Sequence, residues 1–190
     1  MKQSPKTATI KIGAIILIFV TIISLVVFVC YKSVLKVMYP QKNLTLIEKY
    51  ADEYDVDDAL VYAVIKTESG YNPQAESDAG ALGLTQITPE TFRWLQTKTG
   101  EKLEDKALLE SETSIKYGCV FLGMLLDEFG DTKTAIAAYH AGRGSVHKWL
   151  LNKEYSNDGK SLDIIPSKDT AHYVSKVTKS INIYKNLYDI

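Results

Sequence analysis

Glu68 is a carboxylate at a position where the chain's own pattern calls for an apolar residue. Leu60, Val61, Val64 and Ile65 recur at helical spacing and form one apolar stripe. Glu68 is the next position on that stripe, and Ser69-Gly70 follows as a helix stop. Burying an acid on the last turn of a helix is costly unless the acid is paired or used. Desolvation there, together with the negative end of the helix dipole, raises its pKa and holds its proton, the condition for a general acid near neutral pH. The plainer reading is a half-exposed Glu ending its own helix, and the residues that follow decide between the two. Gly70, Gly80 and Gly83 give the next segment a backbone able to approach a ligand closely. Ser77 and Gln86 add uncharged hydrogen-bonding groups suited to hydroxyl and acetamido substituents.

The elements that must position these residues are helical almost throughout. Leu44 to Tyr54 reads as a first amphipathic helix, and Asp55 or Asp57 caps the helix bearing Glu68. Residues 70–83 form a loop. Thr88-Pro89 starts a helix that ends near Gly100, and a long buried helix runs from Ser111 to Phe129. Asp131 caps a short helix through Tyr139, which Gly142-x-Gly144 breaks. Residues 152–163 are polar loop, and a last helix runs from about Ser167 to Tyr188 with Tyr173, Val174, Val177, Ile181 and Tyr184 on one face. No strand alternation, internal repeat or low-complexity tract stands out. The expected fold class is mostly α.

The amino-terminal part is different. Ile12 to Tyr31 is a run of 20 residues without a charge. At about 1.5 Å per residue it reaches across one hydrocarbon core. Val27-Phe28-Val29-Cys30 provides no small-residue cleavage site, so the run reads as an uncleaved signal anchor. The expected organisation is a cytoplasmic tail at 1–11, a transmembrane segment at 12–31, a juxtamembrane linker at 32–43 and a catalytic domain at 44–190. Lysines stand on both sides of the run, so the positive-inside rule barely orients it. Six of the 22 basic residues fall before position 43 with no Asp or Glu among them. The remainder therefore carries 16 basic and 23 acidic residues, a net charge of −7, which argues against nucleic acid as a partner. Cys30 lies in the apolar run and Cys119 in a buried one, so no disulfide is expected. Asp55, Asp57 and Asp58 lack the glycine and terminal Glu of a calcium loop, and His140 and His147 lack a third zinc ligand. Neither metal nor cofactor is expected.

Taken together, Glu68-Ser69, Ser77, Gly80-Ala81, Gly83-Leu84, Gln86 and Pro89 resemble the soluble lytic transglycosylase catalytic domain, a lysozyme-like family acting on peptidoglycan. The resemblance continues at Ala138-Tyr139, Ala141-Gly142, Pro166, Thr170 and Tyr173-Val174, and covers roughly residues 44–186. Thr85 replaces the family's Met, His140 its Asn and Asp169 its Glu; the first is expected to alter the lining of the cleft. The resemblance implies cleavage of the β-1,4 bond between N-acetylmuramic acid and N-acetylglucosamine without addition of water. Glu68 would first protonate the glycosidic oxygen and then act as base on the muramic acid 6-hydroxyl, closing a 1,6-anhydro ring. Ser77, Gln86, Tyr139, His140, Asp169 and Tyr173 would bind substrate; Tyr71, Trp94 and Tyr173 are either faces for sugar rings or core aromatics. The partners implied are glycan strands, the cytoplasmic membrane through residues 12–31, and cell-wall or secretion machinery. The location implied is the bacterial cell membrane, crossed once, with the domain facing the wall.

Two other readings compete. A goose-type-lysozyme-like hydrolase needs a second carboxylate, for which Asp78 and Glu76 are the nearest in sequence. A non-catalytic peptidoglycan-binding scaffold would dispense with the acid, which this chain retains at Glu68.

Overall fold

The structure is a computed structural model that describes residues 5–190, with side chains from Leu17 onward. Met1 to Ser4 and the side chains through Ile16 lie outside the described residues, and with them Lys2, the side chains of Lys6 and Lys11, and the start of the apolar run. The chain divides into two compact units, the first forty residues and Gln41–Ile190.

The first unit is a single helix, α1 (Pro5–Met38). Within it Leu17–Met38 is long and apolar enough to cross a membrane, with a mean hydropathy of 2.4 over its most apolar window. Its apolar side chains from Leu17 to Phe28 are exposed rather than packed on protein. The helix runs past Tyr31 and takes up most of the expected linker, because Val34, Leu35, Val37 and Met38 extend the apolar run and no breaker intervenes before Pro40.

In the second unit α2 (Leu44–Glu53) and α3 (Asp58–Glu68) are followed by the loop, α4 (Pro89–Thr99), a 3-10 turn at Asp105–Leu109 and α5 (Ser111–Phe129). Three more helices complete it: α6 (Thr132–Ala141), α7 (Arg143–Leu150) and α8 (Lys168–Tyr188). The mostly α class expected from the sequence is the one observed, and no strand is present among the described residues. Short side chains start the helices as the capping rule requires. Asp57 accepts from Leu60 N, Thr88 from Thr91 N, Asp131 from Thr134 N and Ser167 from Thr170 N.

Residues 59–65 of α3 are all buried, so this helix is enclosed on every side rather than presenting a single stripe. It packs most extensively against α8, while α6 packs on both α5 and α8. The α7 helix and the 3-10 turn were not legible in the sequence. Gly142 does end α6 (φ 82°, ψ 144°), but Gly144 lies inside α7 instead of completing a break.

Candidate active site

Glu68 is the last residue of α3, and the chain that leaves it folds back on itself. Ser69 Oγ donates to Leu84 O at 2.9 Å and fastens the returning loop beside the helix end. Ser77 closes the turn before it: its backbone N–H donates to Ala81 O, and its Oγ accepts from Ala81 N, both at 3.0 Å. Isolated antiparallel bridges join Leu82 to Glu76 and to Ile87. Gln86, held at φ 51°, donates its amide Nε2 to Ala75 O and Gly83 O at 3.0 Å each. The neutral groups of Ser77 and Gln86 are thus engaged in shaping the loop.

Thr85 pins this loop to α5. Its backbone N–H donates to Ser114 Oγ at 3.1 Å and its hydroxyl to Ser114 O at 2.9 Å, while Gly118 leaves room for its methyl group. Thr85 is fully buried, which corrects the expectation that it lines a cleft. The buried Thr85 hydroxyl finds its partners in Ser114 O and Ser114 Oγ, as a buried polar group requires. The Thr85 carbonyl in turn accepts the hydroxyl of Tyr139, from the last turn of α6, at 2.7 Å.

From α8, Tyr173 donates its hydroxyl to Glu68 Oε1 at 2.5 Å. Burial pushes the Glu68 carboxyl up to about 7, against the opposing effects of the Tyr173 hydrogen bond and the Lys176 charge. Neither Glu76 nor Asp78, both exposed in the loop, is among the groups that act on it. Burial and the Glu68 charge both push the Tyr139 and Tyr173 hydroxyls well above the usual phenol range, so both remain donors. An acid that is half protonated near neutrality, flanked by two phenols, can give a proton and take one back at the same place.

The remaining sequence-selected residues fall at graded distances from this centre. His140 lays its ring on Tyr173, with centroids 4.5 Å apart, and its Nδ1 lies 3.2 Å from Thr170 Oγ1. Asp169 is exposed and reaches the site only through its charge on His140. Trp94 is half-buried, edge-on to Phe121 and covered by the Arg143 guanidinium 5.0 Å from the ring centroid. Tyr71 is not a sugar platform: it is buried, with its hydroxyl 2.6 Å from that of Tyr184. Two contributors were missed from the sequence, Ser114 as anchor of the loop and Lys176 as a cation acting on the acid, and Thr170 carried part of the resemblance without its role as anchor of His140. The spacing Thr170, Tyr173, Lys176 along one face of α8 is the signal that was available. Among the described residues no cluster of His, Cys, Asp and Glu is arranged to hold a metal.

A mostly helical domain with a half-buried Glu at the end of its central helix defines a class, and similarity to known proteins narrows it. Residues 45–162 match the transglycosylase SLT domain, more than half of the chain, and the chain belongs to that family. It is 33% identical over 145 residues to the soluble lytic murein transglycosylase of Salmonella typhimurium, covering 73% of this chain and 22% of that protein. It is 30% identical over 170 residues to the membrane-bound lytic murein transglycosylase C of Haemophilus ducreyi, covering 77% of this chain and 46% of that one. Among solved structures, the 70 kDa soluble lytic transglycosylase of Escherichia coli superposes with a TM-score of 0.71 at 27% identity, covering 80% of this chain and 25% of that one. An inactive variant of the Pseudomonas aeruginosa lytic transglycosylase Slt, carrying Gln in place of a Glu, superposes with a TM-score of 0.72 at 26% identity. The chain spans less than half the length of these relatives.

Proposed function

We propose that this protein is a membrane-anchored peptidoglycan lytic transglycosylase in which Glu68 is both general acid and general base. The observation that carries the reading is the carboxyl of Glu68, raised to about 7 by burial and met by Tyr173 and Lys176 but by no second acid. Glu68 protonates the glycosidic oxygen between N-acetylmuramic acid and N-acetylglucosamine as the bond to the muramic acid C1 breaks. The substrate's own 2-acetamido group supports the positive charge at C1 in place of a second enzyme carboxylate. Glu68, now ionised, removes the proton of the 6-hydroxyl, whose oxygen closes on C1 to give the 1,6-anhydro product and regenerates the acid. Water is not consumed. The Pseudomonas structure, an inactive variant with Gln in place of a Glu, is in keeping with a mechanism that depends on one Glu in this fold.

Residues 12–31, within α1, anchor the chain once in the cytoplasmic membrane, with 1–11 inside and the domain from residue 44 facing the wall. The apolar span and the membrane-bound relatives support this arrangement. Digestion of purified peptidoglycan with the full chain, followed by mass analysis of the muropeptides, tests the chemistry. Anhydro ends are expected, and reducing ends would overturn the reading in favour of hydrolysis. Glu68→Gln is expected to abolish release of either; retained cleavage by that variant would remove Glu68 from the mechanism.

A further inference from the structure

The His140 ring is held in place by one edge while the opposite edge faces solvent. Thr170 Oγ1 lies 3.2 Å from His140 Nδ1 and 3.1 Å from Ser167 Oγ, so it can hold the ring at Nδ1 in either tautomer. His140 is exposed, and no described residue bonds its Nε2. Both ring nitrogens donate in the imidazolium, so uptake of a proton adds a charge and leaves Thr170 Oγ1 as an acceptor for Nδ1. One face of the same ring lies on Tyr173, whose hydroxyl donates to Glu68 Oε1 at 2.5 Å. Solvent, His140, Tyr173 and Glu68 thus form one continuous contact chain.

We infer that His140 is a positioning residue for Glu68 that acts through Tyr173, and that the imidazolium and the Glu68 carboxylate favour one another. A cation against the ring of Tyr173 makes its hydroxyl a stronger donor, which stabilises the ionised form of Glu68. His140 is not among the charges that act directly on Glu68, so the influence runs through Tyr173. Through Tyr173, protonation of His140 therefore alters the proton affinity of Glu68, and the two titrations are linked.

The charged groups that act on this pair, and those that follow His140 in the chain, leave it intact. On α8, Asp169 favours the imidazolium, while burial opposes it more strongly. On the same helix Lys176 acts on Glu68. From α5 and α7, Glu128, Arg143 and His147 pair with one another, with Arg143 Nε and His147 Nε2 each 2.6 Å from Glu128. The family resemblance has Asn at position 140, which has no proton to gain, so this coupling is a property of the present chain. The inference builds on the role proposed for Glu68, but its test does not depend on cleavage.

The full chain, in detergent micelles and labelled with 13C at Glu side-chain carboxyls, is titrated by NMR, with the Glu68 signal assigned from its loss in Glu68→Gln. The Glu68 carboxyl carbon is expected to titrate in two steps, the lower coinciding with the midpoint of the His140 Cε1–H signal. In His140→Asn it is expected to titrate in one. In Tyr173→Phe the lower step should shrink by at least half. A single step in the unaltered protein, with no inflection at the His140 midpoint, overturns the inference even if His140→Asn does not fold. A purely structural role for His140 predicts weaker cleavage at every pH with no change in the shape of the titration. If the two-step titration is found and Glu68→Gln still cleaves, the coupling stands and the function proposed for Glu68 falls.

Discussion

Tyr173 reaches Glu68 across 105 positions of sequence and donates a hydrogen bond to its Oε1 at 2.5 Å. This bond works against the burial that raises the acid, because it stabilises the ionised form. The site therefore holds Glu68 between two opposed influences, near the pH where it can both give and accept a proton. A more deeply buried acid without the phenol would keep its proton too well to act as base.

Tyr173→Phe removes the opposing influence and leaves the burial. The Glu68 pKa is expected to rise by roughly one unit, the scale of a hydrogen bond to a charged group. The basic limb of the kcat/KM profile should move up by the same amount, and kcat should fall at its optimum because proton return slows. A basic limb that stays in place would mean that the phenol orients the substrate only.

Glu68 should also make the fold pH-dependent. In the unfolded chain it loses its proton near 4.5, and in the folded protein near 7. Between these values the folded state binds more protons, so stability falls as pH rises through the window and levels off above it. The full difference corresponds to about 3 kcal/mol. Glu68→Gln carries no such penalty, and denaturant unfolding at pH 8 should find it more stable than the parent by up to that amount. At pH 4 the two should agree to within about 1 kcal/mol. Equal stabilities at pH 8 would contradict the burial of the carboxyl.

The helices and their caps were legible because their signals are local: Asp57, Thr88, Asp131 and Ser167 each act on a backbone group three residues away. Glu68 was legible because an acid breaks an apolar pattern, although the pattern itself was misjudged, since α3 is enclosed on all sides. The supports of the site were not legible. Ser114 meets Thr85 from 29 residues away, and Thr170 meets His140 from 30. A serine or threonine on a helix carries no mark of such a partner until the helices pack. Tyr71 could not be decided from the sequence for the same reason, because a buried tyrosine pair and a sugar platform share one residue type. The short α7 was hidden by Gly144, whose weak helix propensity is overridden once Val146 and Leu150 are buried.

The loop glycines are expected to differ sharply in their tolerance. Both Gly80 and Gly83 adopt positive φ, at 74° and 77°. A Cβ on Gly80 meets nothing within 4 Å, whereas one on Gly83 collides with the backbone carbonyl of Leu108 and comes within 2.8 Å of Ser114 Oγ. Gly80→Ala should therefore cost about 1–2 kcal/mol from backbone strain alone. Gly83→Ala should cost at least about 3 kcal/mol, because overpacking adds to that strain and displaces the Ser114 contact that holds Thr85. Thermal melts of the two variants side by side check the contrast, and similar losses would refute the close approach of loop and 3-10 turn.

Asp78 and Glu76 provide the test of whether Glu68 works without a second acid. Both are exposed, and neither is among the groups that shift Glu68. A hydrolytic mechanism would need one of them to hold and activate a water on the far face of the sugar, and removing that carboxylate typically costs 100-fold or more, on the order expected for a general base. With Glu68 as the single acid and base, Asp78→Asn and Glu76→Gln should each leave the rate within about twofold, the range of a solvated surface charge. The double variant should still release anhydro-muropeptides as its product. Loss of more than tenfold in either single variant, or reducing ends from the unaltered protein that vanish with Asp78→Asn, would show that the loop carboxylate takes part after all.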